Sequence, residues 1–176
     1  LLEFLAAGEA PIAFTPGTGH RHATGYFKNA LRALRALGKR GLFLTRFVDQ
    51  VPSPLPPEVR WQPHAPFDVL LPRVDLLVHH GGIGTTAEAL RAGVPQLILP
   101  FAFDQFDNGQ RVQRLGAGSV VPAARASARR LRQEITRLLA RGPALSIASA
   151  PEELSAGQGL SALVDSIELA LGSRRL

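Results

Sequence analysis

The segment with the most chemical information is a pair of histidines followed by a glycine-rich turn, His79-His80-Gly81-Gly82-Ile83-Gly84-Thr85. It closes a predicted strand over residues 75–79 and opens a predicted helix over residues 85–92. The first turn of a helix presents unpaired N–H groups and a partial positive charge, so this segment suits an anion such as phosphate. Glycines let the backbone approach that anion closely, and a histidine side chain adds a further donor.

The same residues also permit a purely structural interpretation. Thr85 and Glu88 have the spacing of a capping box, in which their side chains would satisfy the first N–H groups of the helix. A cap needs only one glycine, whereas this turn carries Gly81, Gly82 and Gly84. The additional glycines favour the ligand-binding interpretation, although spacing alone leaves both open.

Two further groups of polar residues directly follow predicted strands. Gly17-Thr18-Gly19-His20 comes after residues 11–15, and Asp104-Gln105 comes after residues 96–100. Thr18 either donates to a phosphate or turns the chain, and Asp104 either binds a ligand or caps a helix near Phe106. The first group lacks the third glycine of a dinucleotide fingerprint, which disfavours a dehydrogenase.

These loops can act together only if the elements before them lie side by side. Short apolar runs predict strands over residues 11–15, 42–45, 59–61, 75–79, 96–100 and 119–121. Amphipathic runs predict helices over residues 23–37, 85–92, 106–115, 127–140 and 161–171. The alternation is typical of an α/β fold, a Rossmann-like parallel sheet with helices on both faces, in a single domain over residues 1–176. Ligands bind such sheets beyond the carboxyl ends of the strands, where the polar loops lie.

Composition excludes several classes of protein. The chain has no Cys, and the pairs His20-x-His22 and His79-His80 have no carboxylate at ligand spacing, so we expect no metal site. The longest apolar run, residues 94–103, contains two prolines and is too short to span a membrane. The net charge of +6 comes from cations spread along the chain without interleaved aromatic residues, so we expect no nucleic-acid partner.

One stretch, residues 125–141, concentrates arginine. Leu131, Ile135 and Leu138 form an apolar stripe in it, which places the arginines on the opposite face of a helix. A solvated face is the ordinary interpretation of this pattern. Contact with anionic lipid is the alternative, and it would place the protein at the inner face of a membrane.

Residues 71–116 resemble the donor-binding motif of the inverting nucleotide-sugar glycosyltransferases of the GT-B fold, the UDP-glycosyltransferase-like family 1. The similarity is to the bacterial branch that contains sterol, macrolide and rhamnosyl transferases. The matching residues are His79-His80-Gly81-Gly82-Ile83-Gly84-Thr85, Glu88, Ala92-Gly93-Val94-Pro95, Pro100, Asp104-Gln105 and Asn108. The resemblance implies that the chain is the C-terminal, donor-binding half of a GT-B fold.

The resemblance also implies a role for each matched position. In this family the glycine-rich turn and the loop after the first strand hold the nucleotide diphosphate. The residues at those positions here are Gly17, Thr18, His80, Gly82, Gly84 and Thr85. Glu88 would accept hydrogen bonds from the ribose hydroxyls, and Asp104 and Gln105 would bind hydroxyls of the donor sugar.

Trp61-Gln62-Pro63-His64 occupies the position of the family's base-binding segment, in which an aromatic ring stacks on the base. A lone Trp in a small domain is otherwise more often a core residue. The resemblance implies that Trp61, Gln62 and His64 contact the base. His64 stands where plant members have Gln, so the resemblance decides neither the base nor the sugar.

The implied reaction moves a hexose from a UDP- or dTDP-sugar to a hydroxyl of a lipid or small hydrophobic acceptor, without metal or other cofactor. The family's general base lies in an N-terminal acceptor domain, so we assign no catalytic residue to this chain and expect the chain alone to be inactive. The alternatives are a nucleotide-sugar-binding module without transfer activity and a sugar-nucleotide epimerase of related fold.

The sequence contains no Met and begins at Leu1, so we expect a piece of a longer two-domain enzyme or one chain of a split enzyme. The expected protein partner is the acceptor domain, either from the same protein or on a separate chain. Residues 158–176 would form a terminal helix that runs back toward that domain. The expected location is the cytoplasm.

Overall fold

The computed structural model describes residues 1–142, which form a six-stranded sheet. The strands are β1 Ile12–Thr15, β2 Gly41–Leu44, β3 Val59–Gln62, β4 Leu76–His79, β5 Gln96–Ile98 and β6 Gly118–Val120. All neighbouring strands pair in parallel, in the order β3-β2-β1-β4-β5-β6. This is the doubly wound order of Rossmann-like folds, so the fold class predicted from the alternation of elements is confirmed.

In the described residues one α-helix precedes β1, and one follows each of β1, β3, β4, β5 and β6. They are α1 Leu2–Ala6, α2 Thr24–Leu37, α3 Phe67–Leu70, α4 Ile83–Ala92, α5 Gln105–Arg114 and α6 Ala128–Leu139. α1 and α3 were not predicted, because their five and four residues are too few to show helical periodicity. The predicted helix over residues 161–171, and with it the terminal segment 158–176, lies outside the described residues.

Both faces of the sheet are covered. Ile12 and Phe14 belong to one apolar cluster and Ala13 to another, because successive side chains of a strand point to opposite faces. α2 and α6 pack on the face of Ile12 and Phe14. α1, α3 and α4 pack on the face of Ala13, and α5 packs against β6 on that same side. Within residues 1–142, no helix is long and apolar enough to cross a membrane.

The strand order brings two of the polar loops together. β1 and β4 are direct neighbours, and Thr15 at the end of β1 lies beside His79 at the end of β4. The loops after these two residues therefore leave the same edge of the sheet, at the point where the strand order reverses. Gly17, Thr18 and His80 lie in these loops, so the sheet itself places the predicted phosphate-side residues near one another.

Candidate functional site

The site is built on a buried, neutral histidine at the end of β4. The side chain of His79 is fully buried, with Nε2 at 2.8 Å from Oε1 of Gln96. The backbone N–H of Gly81 donates to Nδ1 of His79 at 3.2 Å, so Nδ1 carries no proton and Nε2 donates to Gln96. Burial lowers the pKa of His79 to about 3, against a smaller opposing effect of the Gln96 hydrogen bond. His79 therefore shapes the turn and takes no part in proton transfer at neutral pH.

Gly81 has a backbone conformation and close neighbours that leave no room for a side chain. Its φ is +91°, a conformation that L side chains rarely adopt. A Cβ atom at Gly81 would also lie 2.8 Å from Cγ2 of Ile98 and 2.9 Å from the carbonyl oxygen of Gln105. The amide of Asn108 donates to the carbonyl oxygen of Gly81 at 2.9 Å. Hydrogen bonds on both sides of Gly81 therefore fix the path of the chain into α4.

The helix after this turn begins earlier than predicted. Gly82, with an extended backbone, is the N-cap, and α4 starts at Ile83 instead of residue 85. No side chain caps this helix, so the N–H groups of Ile83, Gly84 and Thr85 are available at its N-terminus. The capping-box interpretation was wrong, because Thr85 lies inside the first turn and Glu88 accepts a hydrogen bond from Arg91 at 2.5 Å.

The ring of His80 lies between two glycines from different loops. A Cβ atom at Gly17 would lie 2.7 Å from Cε1 of His80, and a Cβ atom at Gly82 would overlap Nε2. Nδ1 of His80 is buried and has no hydrogen-bond partner within residues 1–142. Burial, and to a smaller extent His20, lower the pKa of His80, while Asp104 acts in the opposite direction. His80 is therefore an uncharged side chain with unused hydrogen-bonding capacity.

Two cavities meet at His80. The larger, ≈ 550 Å³, extends toward the ends of β2 and β3, and the smaller, ≈ 220 Å³, extends toward α5. The predicted site residues that line the larger cavity are Gly17, Thr18, His64, His80, Gly82, Gly84 and Thr85. Gln105 lines the smaller cavity, which shares Gly17, Thr18 and His80 with the larger. The structure therefore brings all six predicted phosphate-side residues together around the larger cavity.

The predicted sugar-binding pair is already engaged in local hydrogen bonds. Asp104 is the N-cap of α5, but its side chain does not cap the helix; Oδ2 accepts from the amide of Asn108 at 2.9 Å. Oε1 of Gln105 accepts from the backbone N–H groups of Phe101 and Ala102 at 2.9 and 3.2 Å. Gln105 therefore holds the loop after β5 with its oxygen and has only its NH₂ group to offer a ligand.

Four of the predicted residues line neither cavity: Trp61, Gln62, Glu88 and Asp104. Trp61 and Gln62 are half-buried in β3, and the indole N–H of Trp61 donates to the carbonyl oxygen of Thr45 at 2.8 Å. Glu88 lies one turn into α4, on the same helix face as Gly84. The base-stacking role of Trp61 and the ribose-binding role of Glu88 stay predictions.

Two residues that support the turn from a distance, Gln96 and Asn108, were not predicted as part of the site. Gln96 is a polar residue at the start of an otherwise apolar strand, and Asn108 stands four residues after Asp104 on α5. The sequence shows that both residues are polar, but it does not show their partners, His79 and Gly81, which are distant in the sequence. In the part of the chain that the structure describes, no three His, Asp or Glu side chains come together as a metal-binding group.

We expect Gly17→Ala to destabilise the protein by about 2 kcal/mol, measured by urea unfolding. The added methyl group would meet the His80 ring and would adopt an unfavourable φ of +91°. Gly19→Ala is the matched control two residues away, because a Cβ atom there would have no heavy atom within 4 Å. Equal free energies of unfolding for the two variants would contradict this account of the His80 pocket.

Known proteins with similar structures are glycosyltransferases. The glycotransferase of kitacinnamycin is 28% identical and superposes with a TM-score of 0.76, over 92% of this chain and 43% of that protein. The glycosyltransferase VinC, solved in complex with dTDP, is 29% identical, with a TM-score of 0.62 over 75% of this chain and 35% of that protein.

Proteins with similar sequences are also glycosyltransferases. The sterol 3-beta-glucosyltransferase of Sclerotinia sclerotiorum is 51% identical over 73 residues, which are 42% of this chain and 5% of that protein. The chain thus spans only a small part of such relatives, and their fungal origin does not support the expected bacterial source.

A family model described as the C-terminal domain of erythromycin biosynthesis protein CIII-like proteins matches residues 46–158, which are more than half of the chain. The predicted resemblance to the C-terminal half of GT-B glycosyltransferases is confirmed by this match and by the structural relatives. The matched residues include the turn after β4 and the loop after β5, which form the cleft around His80. The chain belongs to the family of erythromycin biosynthesis protein CIII-like C-terminal domains.

Proposed function

We propose that this domain binds a nucleotide sugar and holds its diphosphate at the turn between β4 and α4. The observation that carries the proposal is His80: its Nδ1 is buried without a partner, and its ring lies beside Gly82, where α4 begins without a capping side chain. A buried polar atom without a partner is costly unless a ligand satisfies it. The oxygens of a diphosphate would accept hydrogen bonds from the helix N–H groups and from His80.

The arrangement of the two cavities supports a ligand with a central diphosphate. In a nucleotide sugar, the diphosphate separates the nucleoside from the sugar. A diphosphate at His80 would direct the nucleoside into the larger cavity, where His64 lies, and the sugar toward Gln105. Glu88 lies one helical turn beyond Gly84, and its proposed role is to accept hydrogen bonds from the ribose hydroxyls.

The proposed reaction of the complete protein is transfer of a hexose from a UDP- or dTDP-sugar to an acceptor hydroxyl. VinC, a structural relative, was solved with dTDP, which supports a pyrimidine nucleoside diphosphate as leaving group. The sterol glucosyltransferase relatives support an apolar acceptor, such as a lipid or a small hydrophobic molecule. The chain itself would supply donor binding only.

The acceptor oxygen would attack the anomeric carbon while the bond from that carbon to the diphosphate breaks. Negative charge develops on the departing diphosphate, where the N–H groups of α4 and His80 are already oriented to stabilise it. We propose that these groups replace a metal ion in this role. The acceptor hydroxyl must lose a proton, and the general base that takes it would belong to the acceptor domain.

Exposed apolar residues beside the cleft support a second domain as the partner. Ile83, Phe103 and Phe106 are 65%, 90% and 41% exposed, and they lie at the starts of α4 and α5. Phe103 also has a φ of +56°, which is unfavourable for an aromatic residue. An acceptor domain across the cleft would cover this apolar rim, and the chain spans less than half of the structural relatives.

We expect Glu88→Ala to weaken binding of UDP or dTDP by about 1–3 kcal/mol in calorimetric titration, because a buried ribose hydroxyl would lose its acceptor. Glu9→Ala is the matched control, since Glu9 is an exposed carboxylate paired with Lys39 at the amino end of the sheet. An unchanged affinity in Glu88→Ala would contradict the ribose assignment. Absence of UDP and dTDP binding in the unmodified chain, together with tight NAD binding, would contradict the proposed donor.

We expect the affinity for UDP-glucose to increase as the pH falls through the pKa that His80 has in the complex, by at most tenfold per pH unit. The free protein holds the pKa of His80 below its ordinary value, and a bound diphosphate would raise that pKa. Protonation of His80 is therefore coupled to binding, so the affinity for UDP-glucose increases as the pH decreases. UDP-glucose is suitable because its diphosphate, a diester, does not titrate in this range.

His80→Gln provides the control for this pH dependence. The variant keeps a hydrogen-bonding side chain at the junction of the cavities but has no group that titrates near neutral pH. Its affinity is expected to vary little between pH 8 and pH 5. The same pH dependence in the variant and the parent would show that His80 is not the group that takes up the proton.

A further inference from the structure

Positive charge is concentrated on one face of the domain. α2 and α6 pack against each other on the same face of the sheet and contain a single carboxylate, Glu134. The basic residues of these two helices are Lys28, Arg32, Arg35, Arg129, Arg130, Arg132 and Arg137. All seven side chains are exposed. We call this surface the basic face.

The opposite layer of helices has no comparable excess of charge. α1, α3, α4 and α5 together contain three arginines and four carboxylates. Ion pairs join Glu88 to Arg91 and Asp107 to Arg111 on that layer. A general preference of the chain for arginine would place cations on both layers alike, so it does not account for the basic face.

The one carboxylate of the basic face is already paired. Glu134 has a side chain only 8% exposed and lies 3.0 Å from Arg130 and 2.5 Å from Arg137. Within residues 1–142, no carboxylate forms an ion pair with the five other cations of the basic face. These like charges repel one another in the free protein, so an external anionic surface would relieve that repulsion.

We propose that the basic face docks on the anionic surface of a lipid bilayer. The charges form a two-dimensional array, because they lie along two neighbouring helices. α2 carries Lys28, Arg32 and Arg35, and α6 carries Arg129 and Arg132. A bilayer presents anionic headgroups in the same two-dimensional way. Single-stranded nucleic acid instead favours a groove with aromatic platforms, and the exposed positions of α2 and α6 carry no aromatic side chain.

Docking through this face leaves the donor cleft accessible. The cleft opens at the carboxyl edge of the sheet, whereas the basic face covers one side of the sheet. The domain can therefore lie on the membrane and still exchange a water-soluble ligand. This docking does not depend on the proposed donor chemistry, and a failure of either leaves the other intact.

The test is sedimentation of the full chain with vesicles of phosphatidylcholine alone or of equal parts phosphatidylcholine and phosphatidylglycerol. We expect binding only to the phosphatidylglycerol vesicles, with weaker binding at higher salt concentration. Each cation near such a surface strengthens binding by about fivefold. The variant with Lys28, Arg32, Arg129 and Arg132 all changed to Gln is therefore expected to bind more than 100-fold more weakly.

The matched control changes Arg60, Arg73, Arg111 and Arg114 to Gln, which removes the same charge away from the basic face. This control is expected to lose less than fivefold in vesicle affinity. Calorimetric binding of UDP, or the circular dichroism spectrum if UDP does not bind, verifies that both variants are folded. Equal losses in the two variants would overturn the proposal, since net charge alone would then explain binding. Failure to bind phosphatidylglycerol vesicles, or tighter binding of a single-stranded RNA through the same residues, would also overturn it.

Discussion

The turn that carries the candidate site depends on a buried histidine that must stay uncharged. Nδ1 of His79 accepts a hydrogen bond from the backbone N–H of Gly81, and Nε2 donates one to Gln96. Both bonds require the same tautomer of His79, with its proton on Nε2. A second proton on Nδ1 would face the N–H of Gly81, so it would break the bond that shapes the turn. Burial excludes that proton by lowering the pKa of His79 to about 3. The site is thus organised by a residue that does not face the cleft.

The geometry of the cleft follows from this constraint. Once the turn is fixed at Gly81, Gly82 takes the N-cap position and α4 begins without a capping side chain. His80 is then held between Gly82 and Gly17, with one ring nitrogen unpaired. Helix N–H groups and a neutral imidazole meet at the junction of two cavities, an arrangement that suits a diphosphate with a substituent on each side. Among the described residues that line the two cavities, Arg46 is the one Lys, Arg, Asp or Glu, so the groups proposed to bind the diphosphate are mainly backbone N–H groups.

The sequence predicted the fold and the position of the cleft, but not the interactions that hold the cleft together. Near-continuous apolar strands and the Gly-rich turn were local signals, so the parallel sheet and the turn that is proposed to bind an anion could both be inferred from them. The partnership of His79 with Gln96, and that of Gly81 with Asn108, depends on the strand order and on where α5 packs. Thr85 was assigned as a possible cap because spacing alone cannot show that a glycine already occupies that position.

The most direct test of this account is the protonation state of His79, measured by two-bond ¹H–¹⁵N correlation NMR of the imidazole rings. The His79→Gln variant identifies the resonances of His79 by their loss. We expect a single Nε2–H tautomer that is unchanged between pH 8 and pH 5, because burial lowers the pKa of His79 to about 3. A Nδ1–H tautomer, or titration of His79 near the ordinary pKa of histidine, would contradict it.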